Sequence, residues 1–153
     1  MSQIEILVGS TLGGTEYVAE AAQTLLEEAF FDTDLHLEPD LNEMSLQEEQ
    51  IWLVCLATHG AGDYPENFKD FVDQLQQVNA PLDGVRYAIV GIGDSNYDTF
   101  CEAAKNLDYI LEEMGAQRIG DRLEIDVVEH AMPEDRIADW IPLLIEDLNE
   151  LID

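Results

Sequence analysis

Three short segments of this sequence combine glycines with hydroxyl, imidazole or aromatic side chains, and each directly follows an apolar run. The first, "GSTLGG" from Gly9, offers hydroxyls and flexible backbone but neither lysine nor arginine. The second, "THGAGDY" from Thr58, and the third, "GIGDSNY" from Gly91, add an imidazole and two tyrosine rings. Backbone N–H groups at a helix start favour an anion. Together, the three segments predict a site for a phosphorylated ring system.

Two common phosphate-binding motifs do not match the first segment. A P-loop places a lysine directly after its last glycine, but the first basic residue of this chain is Lys69. The dinucleotide-binding fingerprint has the spacing G-x-G-x-x-G, which Gly9, Gly13 and Gly14 do not have. Taken alone, the segment is equally compatible with a turn capped by Ser or Thr. Taken alone, His59 is compatible with a histidine that caps a turn, and Tyr97 with a half-buried surface tyrosine.

Strands and helices alternate along the chain and must position these segments. Four segments have helical periodicity. The first starts near Thr15 as a possible cap, the second after Pro65 and the last after Pro133, and the third ends before Gly115 as a C-terminal cap. Pro142 lies inside the last of them and predicts a kink or a late start. Apolar, strand-prone runs occur at Ile4–Val8, Leu35–Leu37, Ile51–Ala57, Tyr87–Ile92 and Leu123–Val127.

This alternation predicts an α/β three-layer sandwich whose five-stranded parallel sheet has the order 2-1-3-4-5 and is covered by helices on both faces. The segment Pro39–Gln50 between strands 2 and 3 is compatible with a helix or a loop. A single domain is expected over residues 1–153. In such a sheet, ligands bind beyond the carboxyl ends of the strands near the point where the strand order reverses. The three segments follow strands 1, 3 and 4 at that edge.

The composition restricts the partners of this chain. Its formal charge is −28, from 34 acidic and 6 basic residues. This argues against nucleic-acid backbones and anionic membrane surfaces and favours basic protein partners. A salt-rich habitat is an alternative cause of the acidity. Cys55 and Cys101 form no Cys-x-x-Cys pair, and neither a signal peptide nor a membrane span is indicated, so a cytoplasmic location is predicted.

The three segments carry a resemblance to a known family. "GSTLGGTEYVAE", "ATHGAGDYPENF" and "GIGDSNYDTFCEAAKNLD" resemble the phosphate loop and the two isoalloxazine loops of flavodoxins. They are also similar to the FMN domains of diflavin reductases such as the sulfite reductase flavoprotein. With the closing "PED…W", the chain looks most like the short stand-alone flavodoxins of the MioC group. The resemblance implies a flavodoxin-like fold and FMN as cofactor.

The resemblance also implies roles for individual residues. Tyr97 matches the aromatic residue on the outer face of the flavin, and His59 stands where many relatives place tryptophan or tyrosine on the inner face, a place that Tyr64 could partly fill. Gly60 matches the glycine whose carbonyl can turn toward the flavin N5. The cofactor-binding residues implied are Ser10, Thr11, Leu12, Gly13, Gly14, Thr15, Thr58, His59, Gly60, Ala61, Gly93, Asp94, Asn96, Tyr97, Phe100 and Cys101.

The implied function is one-electron transfer by a monomer that is a carrier rather than an enzyme. The expected partners are the basic faces of a flavodoxin/ferredoxin NADP reductase and of acceptors such as iron–sulfur or radical-SAM enzymes. An FMN-dependent NAD(P)H:quinone reductase is the alternative, and a binding module without flavin is a further one. A signalling receiver domain needs acidic residues after strand 1 and an Asp after strand 3. This chain has Gly9 and Ser10 after strand 1 and Thr58 after strand 3, which argues against a receiver domain.

Overall fold

Six β-segments and four α-helices form the described part of the chain. The structure, a computed structural model, describes residues 3–10, 14–44, 46, 48–59, 62–78, 80–130 and 132–152. The strands are β1 (Gln3–Gly9), β2 (Asp32–His36), β3 (Gln50–Ala57), β4 (Val85–Gly93), β5 (Gln117–Arg118) and β6 (Leu123–Asp126). The helices are α1 (Gly14–Glu28), α2 (Glu66–Gln77), α3 (Glu102–Glu113) and α4 (Pro133–Ile152).

The sheet is parallel throughout, with the order β2-β1-β3-β4-β5. The short β6 also pairs with β4, farther along the same edge, so β5 and β6 are two parts of one fifth strand. The predicted order 2-1-3-4-5 is therefore confirmed. The interruption was not predicted: two extra residues separate the pairing register of the two parts, from Tyr87↔Arg118 to Val90↔Leu123.

A buried ion-pair network lies beside this interruption. Asp108 on α3 is only 2% exposed, and its carboxylate accepts hydrogen bonds from Arg118 at 2.7 Å, Arg122 at 2.6 Å and the Tyr87 hydroxyl. Arg122 also pairs with Glu124 at 3.0 Å. A buried carboxylate is stable only when it is paired in this way. The two arginines therefore fix the chain where the fifth strand leaves the sheet.

Helices cover both faces of the sheet, as predicted. Successive residues of a strand point to opposite faces, so Ile6 packs beneath α1 and α4 while Leu7 packs beneath α2 and α3. On the first face the helices contribute Val18, Ala22, Leu26, Ile137, Ile141 and Leu144. On the second they contribute Phe68, Phe71, Leu75, Ala104, Leu107 and Leu111. This three-layer core holds the carboxyl ends of β1, β3 and β4 at one edge.

Four local expectations had different outcomes. Gly115 follows α3 with φ +99°, as expected for a C-terminal cap. Thr15 lies inside α1, which already begins at Gly14. Of the two alternatives at Pro142, a kink or a late start, the late start does not occur, because α4 runs from Pro133 through Pro142. Among the described residues between β2 and β3, a single 3₁₀ turn at Leu41–Glu43 is the helical element.

Candidate functional site

A cleft of about 830 Å³ lies at the carboxyl edge of the sheet. This volume is within the roughly 300–1,000 Å³ of typical ligand pockets. The cleft lies between the start of α1, the segments after β3 and β4, and the chain between β6 and α4. Its lining is Ser10, Gly14, Thr15, Ala57, Thr58, His59, Ile92, Gly93, Asp94, Tyr97, Asp98, Thr99, Phe100, Val127 and Pro133.

The start of α1 forms one end of the cleft, which we call the phosphate end (Ser10, Gly14 and Thr15). Free N–H groups and the positive end of the helix dipole favour an anion there. Thr15 is only 4% exposed and lines the cleft. Apart from its chain neighbours and the backbone of α1, a Cβ added at Gly14 would meet no atom of the described residues within 4 Å. The space beside the start of α1 is therefore open.

The segment after β3 is closed on itself by backbone hydrogen bonds. His59 and Asp63 form an antiparallel bridge, with N–H···O distances of 2.7 and 2.8 Å in the two directions. The bridge fixes the backbone of His59, whose side chain is exposed at the cleft. The Thr58 hydroxyl accepts a hydrogen bond from the Ala103 N–H at 3.1 Å, so it caps the first turn of α3.

The segments after β4 and β6 form the other end of the cleft, which we call the ring end (residues 93–100 and 126–130). Asp94 makes a tight turn, since its carboxylate accepts from the Asn96 N–H at 2.8 Å and its carbonyl from the Tyr97 N–H at 3.1 Å. Tyr97 is 65% exposed at the rim. Asp126 joins the two segments by accepting from the N–H groups of Ser95 at 3.1 Å and Val128 at 3.0 Å.

Hydrogen bonds from Ser95, with weaker contributions from Val128 and His130, hold the pKa of Asp126 below its ordinary value. The ring end is therefore tied together by an ionised carboxylate. Asp94 and Asp98 add two more carboxylates to the lining. None of the described lining residues is Lys or Arg.

Close approach of β4 to α3 fixes the floor of the ring end. A Cβ at Gly93 would lie 2.9 Å from the backbone nitrogen of Cys101 and 3.1 Å from the Phe100 ring. Cys101 itself has φ +54°, precedes α3 and is fully buried. Burial raises the pKa of its thiol to about 12, so the thiol stays protonated and is a packing group.

The residues implied by the family resemblance fall into three groups. The cleft brings together Ser10, Gly14, Thr15, Thr58, His59, Gly93, Asp94, Tyr97 and Phe100. Asn96 is exposed outside the lining, and Cys101 is buried beneath it. Thr11, Leu12, Gly13, Gly60 and Ala61 lie outside the described residues. Tyr64 packs on Phe68, with ring centroids 6.3 Å apart, rather than along the cleft.

Several residues of the site were not predicted. Val127 and Pro133 line the cleft, and Asp126 ties its ring end. Asp126 is the last residue of β6, at the carboxyl edge of the sheet. A polar residue at the end of the last predicted strand could therefore have identified Asp126 as part of the site. Across the described ranges there is no group of three or more His, Cys, Asp or Glu arranged to hold a metal, and no helix there is long and apolar enough to span a membrane.

Comparisons with known proteins agree with this geometry. Residues 6–140 match the Flavodoxin family. Protein MioC of Escherichia coli (strain K12) is 43% identical over 141 residues, which cover 92% of this chain and 95% of that protein. The sulfite reductase [NADPH] flavoprotein alpha-component of Bacillus subtilis is 32% identical over 149 residues, 97% of this chain and 24% of that protein.

A solved structure gives the same result. A cysteine-to-serine mutant of a flavodoxin from Pseudomonas aeruginosa superposes with a TM-score of 0.85 at 27% identity, covering 96% of this chain and 99% of that one. The sheet order, the cleft at its carboxyl edge and the sequence matches all lead to one assignment: the chain belongs to the flavodoxin family.

Proposed function

We propose that this protein is a one-electron carrier whose FMN lies in the cleft with its phosphate at the start of α1. FMN is the cofactor that membership of the flavodoxin family implies, and flavodoxins are electron-transfer proteins. The observation that carries the proposal is the phosphate end, where Gly14 leaves open space among the described residues and the buried Thr15 lines the cleft at the start of α1. Both features fit an anion held without a cation.

The chain's own groups supply binding and shielding. N–H groups at the start of α1 and the Thr15 hydroxyl would hold the phosphate by hydrogen bonds and the helix dipole. His59 and Tyr97 are the flat side chains available to cover a ring, and Ile92 and Phe100 exclude water from the floor. Bound FMN supplies a flavin ring that takes up and releases single electrons.

The nature of the cofactor is tested on the purified full chain. The protein is expected to be yellow, with FMN rather than FAD released by acid and identified by chromatography. The flavin-free chain is then titrated with FMN and with riboflavin, which lacks the phosphate, and quenching of flavin fluorescence is followed. Clear preference for FMN supports the phosphate end; equal affinity for the two would contradict it.

The rim of the cleft supports a proposal about partners. Exposed apolar side chains of Tyr97, Val127, Val128 and Met132 lie beside or near the cleft in a chain of net charge −28. This combination suits an apolar contact within a basic face of an NADP-dependent reductase and then of an acceptor enzyme. Charge steering predicts that the rate of electron uptake from such a reductase falls steeply with added salt.

Kinetics with and without a reductase separate the carrier from an enzyme. We expect slow oxidation of NADPH with a quinone when the protein is alone and fast reduction of its flavin when a basic flavodoxin reductase is added. Efficient quinone reduction without the reductase would favour a quinone reductase instead. A rate independent of salt would indicate that the acidity reflects a salt-rich habitat. A cytoplasmic monomer with a single domain over residues 1–153 remains our prediction, measurable by scattering and fractionation.

A further inference from the structure

The side chain of Asn67 joins three backbone groups at the carboxyl edge of the sheet. Asn67 is the second residue of α2 and is partly buried. Its amide oxygen accepts from the Ser10 N–H at 3.0 Å, and its NH₂ group donates to the carbonyls of Val8 at 2.9 Å and Leu37 at 2.6 Å. One amide therefore connects the ends of β1 and β2 to the start of α2.

These hydrogen bonds lie where the chain leaves β1 for the phosphate end. Val8 and Ser10 flank Gly9, where a Cβ would come within 2.4 Å of Leu56 and 3.1 Å of Phe68. The backbone at Gly9 is thus packed tightly on one side and tied by Asn67 on both flanks. Ser10, which lines the cleft, is therefore held beside this fixed point.

Asparagine has the hydrogen-bonding groups that this place requires. The three backbone partners are one donor and two acceptors, and the carboxamide offers an acceptor and two donors in one plane. An aspartate would keep the acceptor but lose both donors, and a hydrophobic residue would lose all three. The amide is also uncharged, so it adds no repulsion toward a phosphate.

We propose that Asn67 is a positioning residue of the phosphate end. It does not line the cleft; it acts through Ser10, whose position sets how the N–H groups at the start of α1 converge on the phosphate of FMN. This inference rests on the proposed function. It predicts that loss of the Asn67 amide weakens binding of the phosphate rather than of the ring.

Gln74 offers a matched control on the same helix. Its side-chain amide also ties α2 to a neighbouring segment, accepting from the Leu41 N–H at 2.8 Å and donating to the Asp40 carboxylate at 2.8 Å. That segment lies before β3 and contributes nothing to the cleft lining. Gln74→Ala therefore removes a comparable set of hydrogen bonds while leaving the phosphate end untouched.

The test compares FMN and riboflavin binding to the flavin-free full chain of wild type, Asn67→Ala and Gln74→Ala. In Asn67→Ala, we expect the Kd for FMN to rise about tenfold, as for the loss of one or two oriented hydrogen bonds. The Kd for riboflavin should change by less than about twofold. In Gln74→Ala, the ratio of the two constants should equal that of the wild type even if the unfolding temperature falls.

Other results would overturn the proposal in distinguishable ways. If Asn67→Ala weakens FMN and riboflavin equally, Asn67 only stabilises the fold, and the inference is wrong while the proposed function stands. If the wild-type chain itself binds both ligands equally, the proposed function is wrong as well. Should Asn67→Ala fail to fold, Asn67→Asp is measured in the same way. It loses both donors and places a negative charge beside Ser10, so the Kd for FMN should rise more than that for riboflavin, and an unchanged ratio would overturn the inference.

Discussion

At the phosphate end of the cleft, the chain is tied by the neutral amide of Asn67, whereas at the ring end it is tied by the carboxylate of Asp126. Each side chain binds backbone groups of two separate segments, so their mechanical roles are similar. In our proposed placement of FMN, the phosphate lies near Asn67 and the ring near Asp126, and the charges of the two side chains suit these neighbours. A carboxylate close to a phosphate dianion would repel it and weaken binding. Beside a neutral ring, a carboxylate has little effect on the binding free energy, but it raises the energy of an electron added to the ring.

Glycine use also differs between the two ends and gives the largest expected effect. At Gly93, an added Cβ meets the backbone nitrogen of Cys101 at 2.9 Å, and this atom cannot move without displacing the start of α3. We expect Gly93→Ala to lower the free energy of unfolding by about 1–3 kcal/mol, typical of overpacking. Denaturant unfolding of the flavin-free chain measures this.

Gly14→Ala is the matched variant at the phosphate end. Its Cβ meets no protein atom within 4 Å, and alanine favours a helix, so the flavin-free chain should be as stable as the wild type or more so. FMN affinity should fall, because the methyl group would enter space that we assign to the phosphate. A large loss of stability in Gly14→Ala, or none in Gly93→Ala, would contradict this contrast between the two ends.

The hydrogen bonds of Asp126 predict that ligand binding at the ring end depends on pH. Its pKa in the folded protein lies below its ordinary value, so the stabilisation is present above the ordinary pKa of about 4 and is lost as the pH falls through the lower value. Riboflavin reports on this end alone because it lacks a titrating phosphate. Its Kd, measured from about pH 7 down to about pH 3, should rise several-fold only below about pH 4.

Two variants isolate the contribution of Asp126. Asp126→Asn keeps an oxygen for the N–H groups of Ser95 and Val128 but does not titrate, so the rise in the riboflavin Kd in acid should become smaller. Asp98→Asn removes a carboxylate of the same cleft that has no hydrogen bond to a neighbouring segment among the described residues, and its acid profile should match the wild type. Identical profiles for all three proteins would show that Asp126 does not tie the ring end.

Much of the fold could be predicted because its signals are local. Continuous apolar runs identified β1, β3, β4 and β6, and Gly115 identified the end of α3. The predicted run Leu35–Leu37 only overlaps β2 (Asp32–His36), because the first three residues of that strand are polar and give no apolar signal. The interruption of the fifth strand could not be predicted, since it depends on the reach of Arg118 and Arg122 to Asp108 on another element. The position of the cleft could also be predicted, because the carboxyl ends of strands 1, 3 and 4 lie at one edge of a parallel sheet. The ties by Asn67 and Asp126 join residues 57 and 31 positions apart in the chain, and no short motif contains such a pair.

The carboxylates of the ring end predict an effect of intermediate size on the midpoint potential of bound FMN. Asp94 lines the cleft, whereas Asp63 lies in the bridge with His59 and is not part of the lining. Removing a negative charge makes electron uptake easier, so Asp94→Asn should raise the midpoint potential of bound FMN by a few tens of millivolts. Asp63→Asn should raise it less. Spectroelectrochemical titration measures both, and equal shifts would mean that the net charge of the chain, rather than the ring end, sets the potential.

The smallest effect is expected at Asn96, a residue that the family resemblance assigns to the cofactor but that the structure places outside the cleft lining. The hydrogen bond of Asn96 to the Asp94 carboxylate uses its backbone N–H, which remains in Asn96→Ala. The turn should therefore persist, and the Kd values for FMN and riboflavin should each change by less than about twofold. Tyr97→Ala in the same turn is the positive control, because it removes an exposed ring at the rim. A loss of affinity in Asn96→Ala comparable to that in Tyr97→Ala would show that the ring end closes over the flavin and brings Asn96 into contact with it.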